Sequence, residues 1–261
     1  MNFPITPDFE VLASMRLALI TDKQLPAYLL MPEVERLISA APNQHARLLF
    51  NLLWQTGGRL NEVLALRGMD IEFHPAKQHT PAFVYITLRT SKQRCGREGK
   101  PIRGRPAKSV EGSLFRSVPV FCPVLQRELA QYQQTFAKNK SRPIFYNQET
   151  GNSYTQQIVR KWMQLACEFL EKNGTRLPIK VSPHTLRHSY AINLLIHNTD
   201  LRTISKMLGH SSLSSTAIYL NLWQAELIAK IQRVAFSSAL LYDQSAKTHI
   251  EPPTQLLNAL S

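Results

Sequence analysis

Residues 182–191 read SPHTLRHSYA, an order that places a helix start and an anion-binding surface on the same ten positions. Ser182 is a good N-cap and Pro183 suits the first helical position. His184 and Arg187 then fall in the opening turns, three apart and on one face. Free backbone N–H groups and the helix dipole favour a phosphate at such a terminus. Arg187 adds a planar fork able to hold two phosphate oxygens. Taken alone, the segment is equally a capped helix with exposed basic residues. Zinc binding is the sharper alternative, because His184 and His188 are four apart, the spacing of two ligands on a helix. Chemistry argues against it: Arg187 lies between them, no Glu follows His184, and no carboxylate cluster is near.

Working downstream, LRTISKMLGHSS (201–212) carries the buried stripe of a short helix in Leu201, Ile204 and Leu208. Gly209 ends it as a left-handed cap and projects His210 from a tight turn. A histidine there ordinarily neutralises a helix C-terminus. Nine residues further, Tyr219 follows SSLSST in the segment MLGHSSLSSTAIYL (207–220) and is flanked by Ala217, Ile218, Leu220 and Leu222. Such a tyrosine is ordinarily core. To act as a nucleophile it needs help, since a phenol of pKa near 10 loses its proton at pH 7 at a cost of about 4 kcal/mol. Tyr190 competes for the role but packs along its own helix with Leu186 and Leu194.

Upstream, VERLISAA (34–41) and ARLLFNLLWQ (46–55) have helical apolar spacing, and Gly57 and Gly58 stop the second helix. Arg59, in TGGRLNEVLAL (56–66), stands at the start of the next, whose Leu60, Val63, Leu64 and Leu66 point inward. Glu62 can reach back one turn to fix the Arg59 guanidinium, and a preoriented fork stabilises a transition state without reorganising. Strands are expected at Ala82–Leu88, Ser117–Phe121 and Ile144–Tyr146. Two further helices are VLQRELAQYQQTF (124–136), with Leu125, Leu129, Tyr132 and Phe136 on one face, and IVRKWMQLACEFLEK (158–172), running through Ile158, Trp162, Leu165 and Phe169. The expected fold class is α+β, mainly α-helical, with a small antiparallel sheet. Residues 1–28 form a short N-terminal extension, 29–238 the domain and 239–261 a tail.

The 261 residues carry a formal charge of +13, and the pI near 9.9 points to a polyanionic partner, because Lys and Arg displace condensed counterions from phosphates. No apolar run reaches the eighteen or so residues of a spanning helix, and MNFPITPDFE lacks the order of a signal peptide. A cytoplasmic protein without a membrane partner is expected. Cys95, Cys122 and Cys167 form no CxxC pair and indicate neither disulfide framework nor zinc ribbon.

Together, TGGRLNEVLAL, SPHTLRHSYA and MLGHSSLSSTAIYL resemble, in the same order, the motifs of the tyrosine recombinase (phage integrase) family, over roughly residues 29 to 235. The resemblance implies that family's catalytic-domain fold and a reaction without metal, ATP or other cofactor. Tyr219 would attack a scissile phosphate, leaving a 3′-phosphotyrosyl link and a free 5′ hydroxyl. Arg59 and Arg187 would neutralise the growing charge, with Glu62 as the supporting acid. His184 would help take the tyrosine proton and His210 would bind a phosphate oxygen. Lys92, in the turn after the first strand, would protonate the leaving oxygen. The connection there is longer than a hairpin turn, so Lys100 stays open as its substitute. The other cations of this stretch, Arg89, Arg94, Arg97, Arg103, Arg105 and Lys108, would grip the DNA backbone.

Implied partners are double-stranded DNA with a recombination site and further copies of the chain, as a tetramer on two sites. The apolar stripe of AELIAKIQRVAFSSALL (225–241) would dock on a neighbour, and an accessory DNA-bending protein is an optional addition. Many members carry a separate N-terminal domain for which these 261 residues leave no room, so the resemblance leads us to expect the compact subgroup of plasmid multimer resolvases and fimbrial DNA invertases, with multimer resolution the favoured role. Inversion and integration share its chemistry. A type IB topoisomerase would use nearly the same residues, and a non-catalytic DNA-binding protein would share the charge but not require Tyr219.

Overall fold

A computed structural model of the chain describes residues 12–14, 16, 20, 21, 26–89, 115–136, 139–210, 216, 218 and 219. Helix α1 (Met31–Ser39) has Pro32 in its first turn, and the Glu33 carboxylate accepts from the Leu30 amide at 2.8 Å. Helix α2 (Gln44–Thr56) starts at Asn43, whose side chain accepts from the Ala46 amide at 2.8 Å. A helix apolar all round belongs in the middle of a domain. Leu48, Leu49, Phe50, Leu52 and Leu53 are accordingly buried, and α2 packs on α1, α3 (Leu60–Leu64), α4 (Pro123–Phe136), α6 (Pro183–Ile196) and strand β3 (Phe115–Val120). Gly57 ends α2 at φ 57. A Cβ there would lie 2.3 Å from Cδ1 of Tyr190, so the left-handed turn and the close approach both require glycine.

Strands β1 (Ile71–His74), β2 (Phe83–Arg89) and β3 form one antiparallel sheet in the order β1-β2-β3, with Ile71 opposite Ile86 and Val84 opposite Val120. Alternation sends Val84, Ile86, Leu88, Val118 and Val120 into the core. The strand expected at Ile144–Tyr146 does not join the sheet. Ile144 and Phe145 are consecutive and both fully buried, which period two cannot achieve on one face. Ile144 instead hydrogen-bonds the Leu66 carbonyl at 2.7 Å, and Tyr146 makes an isolated bridge with Ser153. The third strand is β1, four residues whose pattern is blurred by Glu72 and the exposed Phe73.

Helix α4 buries Leu125, Leu129 and Tyr132 as their spacing predicts. Helix α5 (Gln156–Lys172) is turned from the expected stripe: Val159, Trp162, Met163, Ala166 and Leu170 are buried, while Ile158, Leu165 and Phe169 are exposed, Phe169 by 57%. The helix has more apolar residues than one seam can hold, Trp162 belongs to both stripes, and burial falls on the side with the small Ala166, which lets a neighbour approach closely. Ser182 caps α6 by accepting from the Thr185 amide, and the Leu29 amide donates to Ser189 Oγ at 2.8 Å, tying the chain's approach to α1 onto α6. Helix α7 (Leu201–Leu208) is capped by Asp200 and ends at Gly209 with φ 63. Among the described residues no helix is long and apolar enough to cross a membrane. The expected helix at 225–241 and the basic connection at 90–114 lie outside the described residues.

Candidate active site

Arg59 is the N-cap of α3, and Glu62 stands one turn later with its side chain wholly buried. Glu62 Oε1 accepts from Arg59 Nη1 at 2.8 Å, and Oε2 accepts from the Arg59 amide at 2.9 Å and from Arg116 Nη2 at 2.6 Å. Burial pushes this carboxyl's pKa up, but hydrogen bonds from Arg116 and Arg59 and the Arg116 charge outweigh it and hold the pKa below the ordinary 4.5. A depressed carboxylate pKa adds stability above the unfolded value that is lost as pH falls through the folded one. Glu62→Gln should therefore lower stability by about 3 kcal/mol at pH 7. In denaturant unfolding the gap from wild type should narrow as pH falls below about 4.

Arg187 sits on the second turn of α6, 5% exposed, and its two Nη atoms donate to the carbonyls of Gly57 at 2.5 Å and Leu208 at 2.7 Å. It thereby joins the end of α2 to the end of α7. Burial, then the charges of Arg59 and Arg116, push its pKa down to about 9, so it remains a cation at neutral pH. Three guanidiniums here share one carboxylate. That leaves uncompensated positive charge, which an anion such as a phosphodiester relieves.

Tyr219 is 1% exposed and its hydroxyl shares a 2.8 Å hydrogen bond with Nδ1 of His188. Burial raises the phenol to about 12 against the pull of Arg187. Burial, with the charges of His184 and Arg187, lowers His188 to about 4. His184, one turn earlier, is exposed. His210 shares a 2.8 Å hydrogen bond from Nδ1 with Oγ1 of the buried Thr216, and its amide donates to the Ser205 carbonyl beyond the Gly209 turn. Among the described residues no group of three or more His, Cys, Asp or Glu could hold a metal ion.

Residues 28–226 match the model of the phage integrase family. The chain belongs to that family. It is similar to a resolvase of Escherichia coli K12, 29% identical over 240 residues that cover 90% of this chain and 86% of the relative. A tyrosine recombinase XerD of Corynebacterium glutamicum is 31% identical over 225 residues, covering 83% of this chain and 64% of that one. Among solved structures, XerH site-specific recombinase bound to difH substrate aligns with a TM-score of 0.54 at 24% identity, over 77% of this chain and 52% of that one. XerA recombinase gives 0.53 at 24%, over 75% and 60%. These likenesses show the fold. As a tyrosine recombinase, the protein is an enzyme that cleaves and rejoins DNA strands.

Within this recombinase the structure brings Arg59, Glu62 and Arg187 together and sets Tyr219 within electrostatic reach of Arg187. Lys92, Arg94, Arg97, Lys100, Arg103, Arg105 and Lys108 lie outside the described residues. Arg89 pairs with Asp70 at 2.8 Å, and its guanidinium carbon lies 5.8 Å from the centre of the Phe115 ring, so its charge is already engaged. Two neighbours of the site had no part in the recombinase reading of the sequence. His188 had a signal, one turn beyond His184 and adjacent to Arg187. Arg116 had another, sharing the inward parity of Val118 and Val120 on β3.

Proposed function

We propose that this recombinase resolves multimers of its own replicon at a specific double-stranded site, with Tyr219 as nucleophile. The observation that carries the reading is the cluster of the partly buried Arg59 and Arg116 with the buried Arg187 beside a tyrosine hydroxyl. Such a cluster matches a phosphate whose charge grows in the transition state. Tyr219 Oη attacks phosphorus, the P–O5′ bond breaks, and the leaving oxygen takes a proton from Lys92, or from Lys100 in its place. A 5′ hydroxyl from the second duplex reverses the step, so no external energy source is needed.

The resting pair is not set for proton transfer. Burial raises the phenol and lowers the imidazole, so both shifts disfavour passing the proton from Tyr219 to His188. The contact with His188 therefore holds the phenol without ionising it. In this reading a bound phosphate offsets the Arg187 charge that, with burial, depresses His188, while His184 helps take the proton and His210 binds a phosphate oxygen. The catalytic domain spans 29–238 and works in the cytoplasm as a tetramer on two sites, with a DNA-bending protein as an optional partner.

Support for resolution over inversion or integration comes from the resolvase relative matched over most of its length. A supercoiled dimer of the native replicon, incubated with the protein, should yield monomer circles. Relaxed dimers without monomers would point to topoisomerase-like relaxation, and inverted segments to an invertase.

A further inference from the structure

We propose that Arg116 is a positioning residue for this reaction: it ties the carboxylate that orients Arg59 to the turn that carries His210. The inference rests on the recombinase site described above. Arg116 lies on the inward face of β3, opposite Leu88 and in phase with Val118 and Val120, yet its side chain is only 9% exposed. An inward guanidinium costs several kcal/mol unless it is paired and hydrogen-bonded. If packing were the sheet's whole task, a third valine would serve better at that position.

Its contacts explain the placement. Nη2 donates to Glu62 Oε2 at 2.6 Å, and Nε donates to the Met207 carbonyl at 2.9 Å. The neighbouring carbonyl, of Leu208, is the one held by Arg187. Two guanidiniums thus cap adjacent carbonyls at the C-terminal end of α7, where the helix dipole is negative. The chain then turns immediately over Arg116: a Cβ on Gly209 would lie 2.8 Å from Nη1 and 3.0 Å from Cδ. His210 follows directly. Nη1 itself is buried without a hydrogen-bond acceptor among the described residues, so the guanidinium sits where Glu62 and the α7 terminus need it, at the expense of one of its own donors. Through these links the positions of Arg59, Arg187 and His210 depend on one side chain.

The test uses the full chain, a DNA fragment of the native replicon that it protects, and single-turnover formation of the covalent adduct at saturating DNA. Arg116→Lys keeps the charge but cannot reach both Glu62 and Met207 with fixed geometry, and it guards against an Arg116→Ala variant that fails to fold. The adduct rate should fall about ten- to hundredfold in Arg116→Lys, with DNA affinity close to wild type. The acid limb of the rate profile should move to higher pH, because Glu62 keeps Arg59 and the more distant Arg187 but loses the donor from β3. Rescue of neither rate nor acid limb by lysine is the signature of positioning. A wild-type rate in Arg116→Lys, or a slow rate with an unmoved acid limb, overturns the inference. Wild type run beside it separates the two levels: no adduct from wild type overturns the recombinase reading as well, whereas a normal wild-type adduct confines the failure to Arg116.

Discussion

Tyr219→Phe should yield no covalent protein–DNA product and no recombinant, at any DNA concentration, while binding DNA as wild type does. The substitution removes one oxygen from a side chain 1% exposed and leaves the ring's packing in place. The lost hydrogen bond to His188 is worth about 1 kcal/mol of stability, too little to unfold the domain. Among the described residues, no other group with the geometry of Tyr219 stands beside Arg187. Tyr190, the other tyrosine of the neighbourhood, packs its ring against Gly57, and burial pushes its pKa up to about 12 against the pull of Arg116. A residue that served only to fill the core would tolerate this change with activity intact. Gel shift and denaturing-gel capture of the adduct, on the same DNA, separate the two outcomes.

Arg187→Lys should cost about a thousandfold in single-turnover cleavage, and it should also lower stability by about 3 kcal/mol. Both effects come from geometry. The guanidinium spans the carbonyls of Gly57 and Leu208 with two nitrogens in one plane, and an ammonium can satisfy one of them well but not both. A lysine buried beside Arg59 and Arg116 would also lose its proton readily, since burial and like charge both disfavour the charged form. The site would then lose a cation as well as a fork. Cleavage kinetics with a thermal melt of the same sample should show both losses, whereas a surface arginine would show neither.

The parts of the fold read correctly from sequence are those whose causes are local. Ser182 with Pro183 starts α6, Gly57 ends α2, Gly209 ends α7, and alternation defines β2, each because a cap or a period is written in adjacent residues. The errors have tertiary causes. Which stripe of α5 is buried depends on the neighbour it meets, and Ile144 and Phe145 are drawn out of strand geometry by the hydrogen bond to Leu66. The same division runs through the site. The Arg59–Glu62 pair follows from i,i+3 spacing on one helix. The contact of His188 with Tyr219 and the reach of Arg116 to Glu62 and Met207 join segments 31, 54 and 91 residues apart, and no local pattern announces them.

The reaction is defined by which atom becomes bonded to DNA. The direct measurement is to trap the covalent complex on native-replicon DNA, digest both components, and identify by mass spectrometry the peptide carrying the nucleotide and the end through which it is attached. The expected result is a 3′-phosphotyrosyl link on the peptide containing Tyr219, absent from Tyr219→Phe. A link to another residue, attachment through a 5′ end, or strand exchange with no covalent protein at all would contradict it.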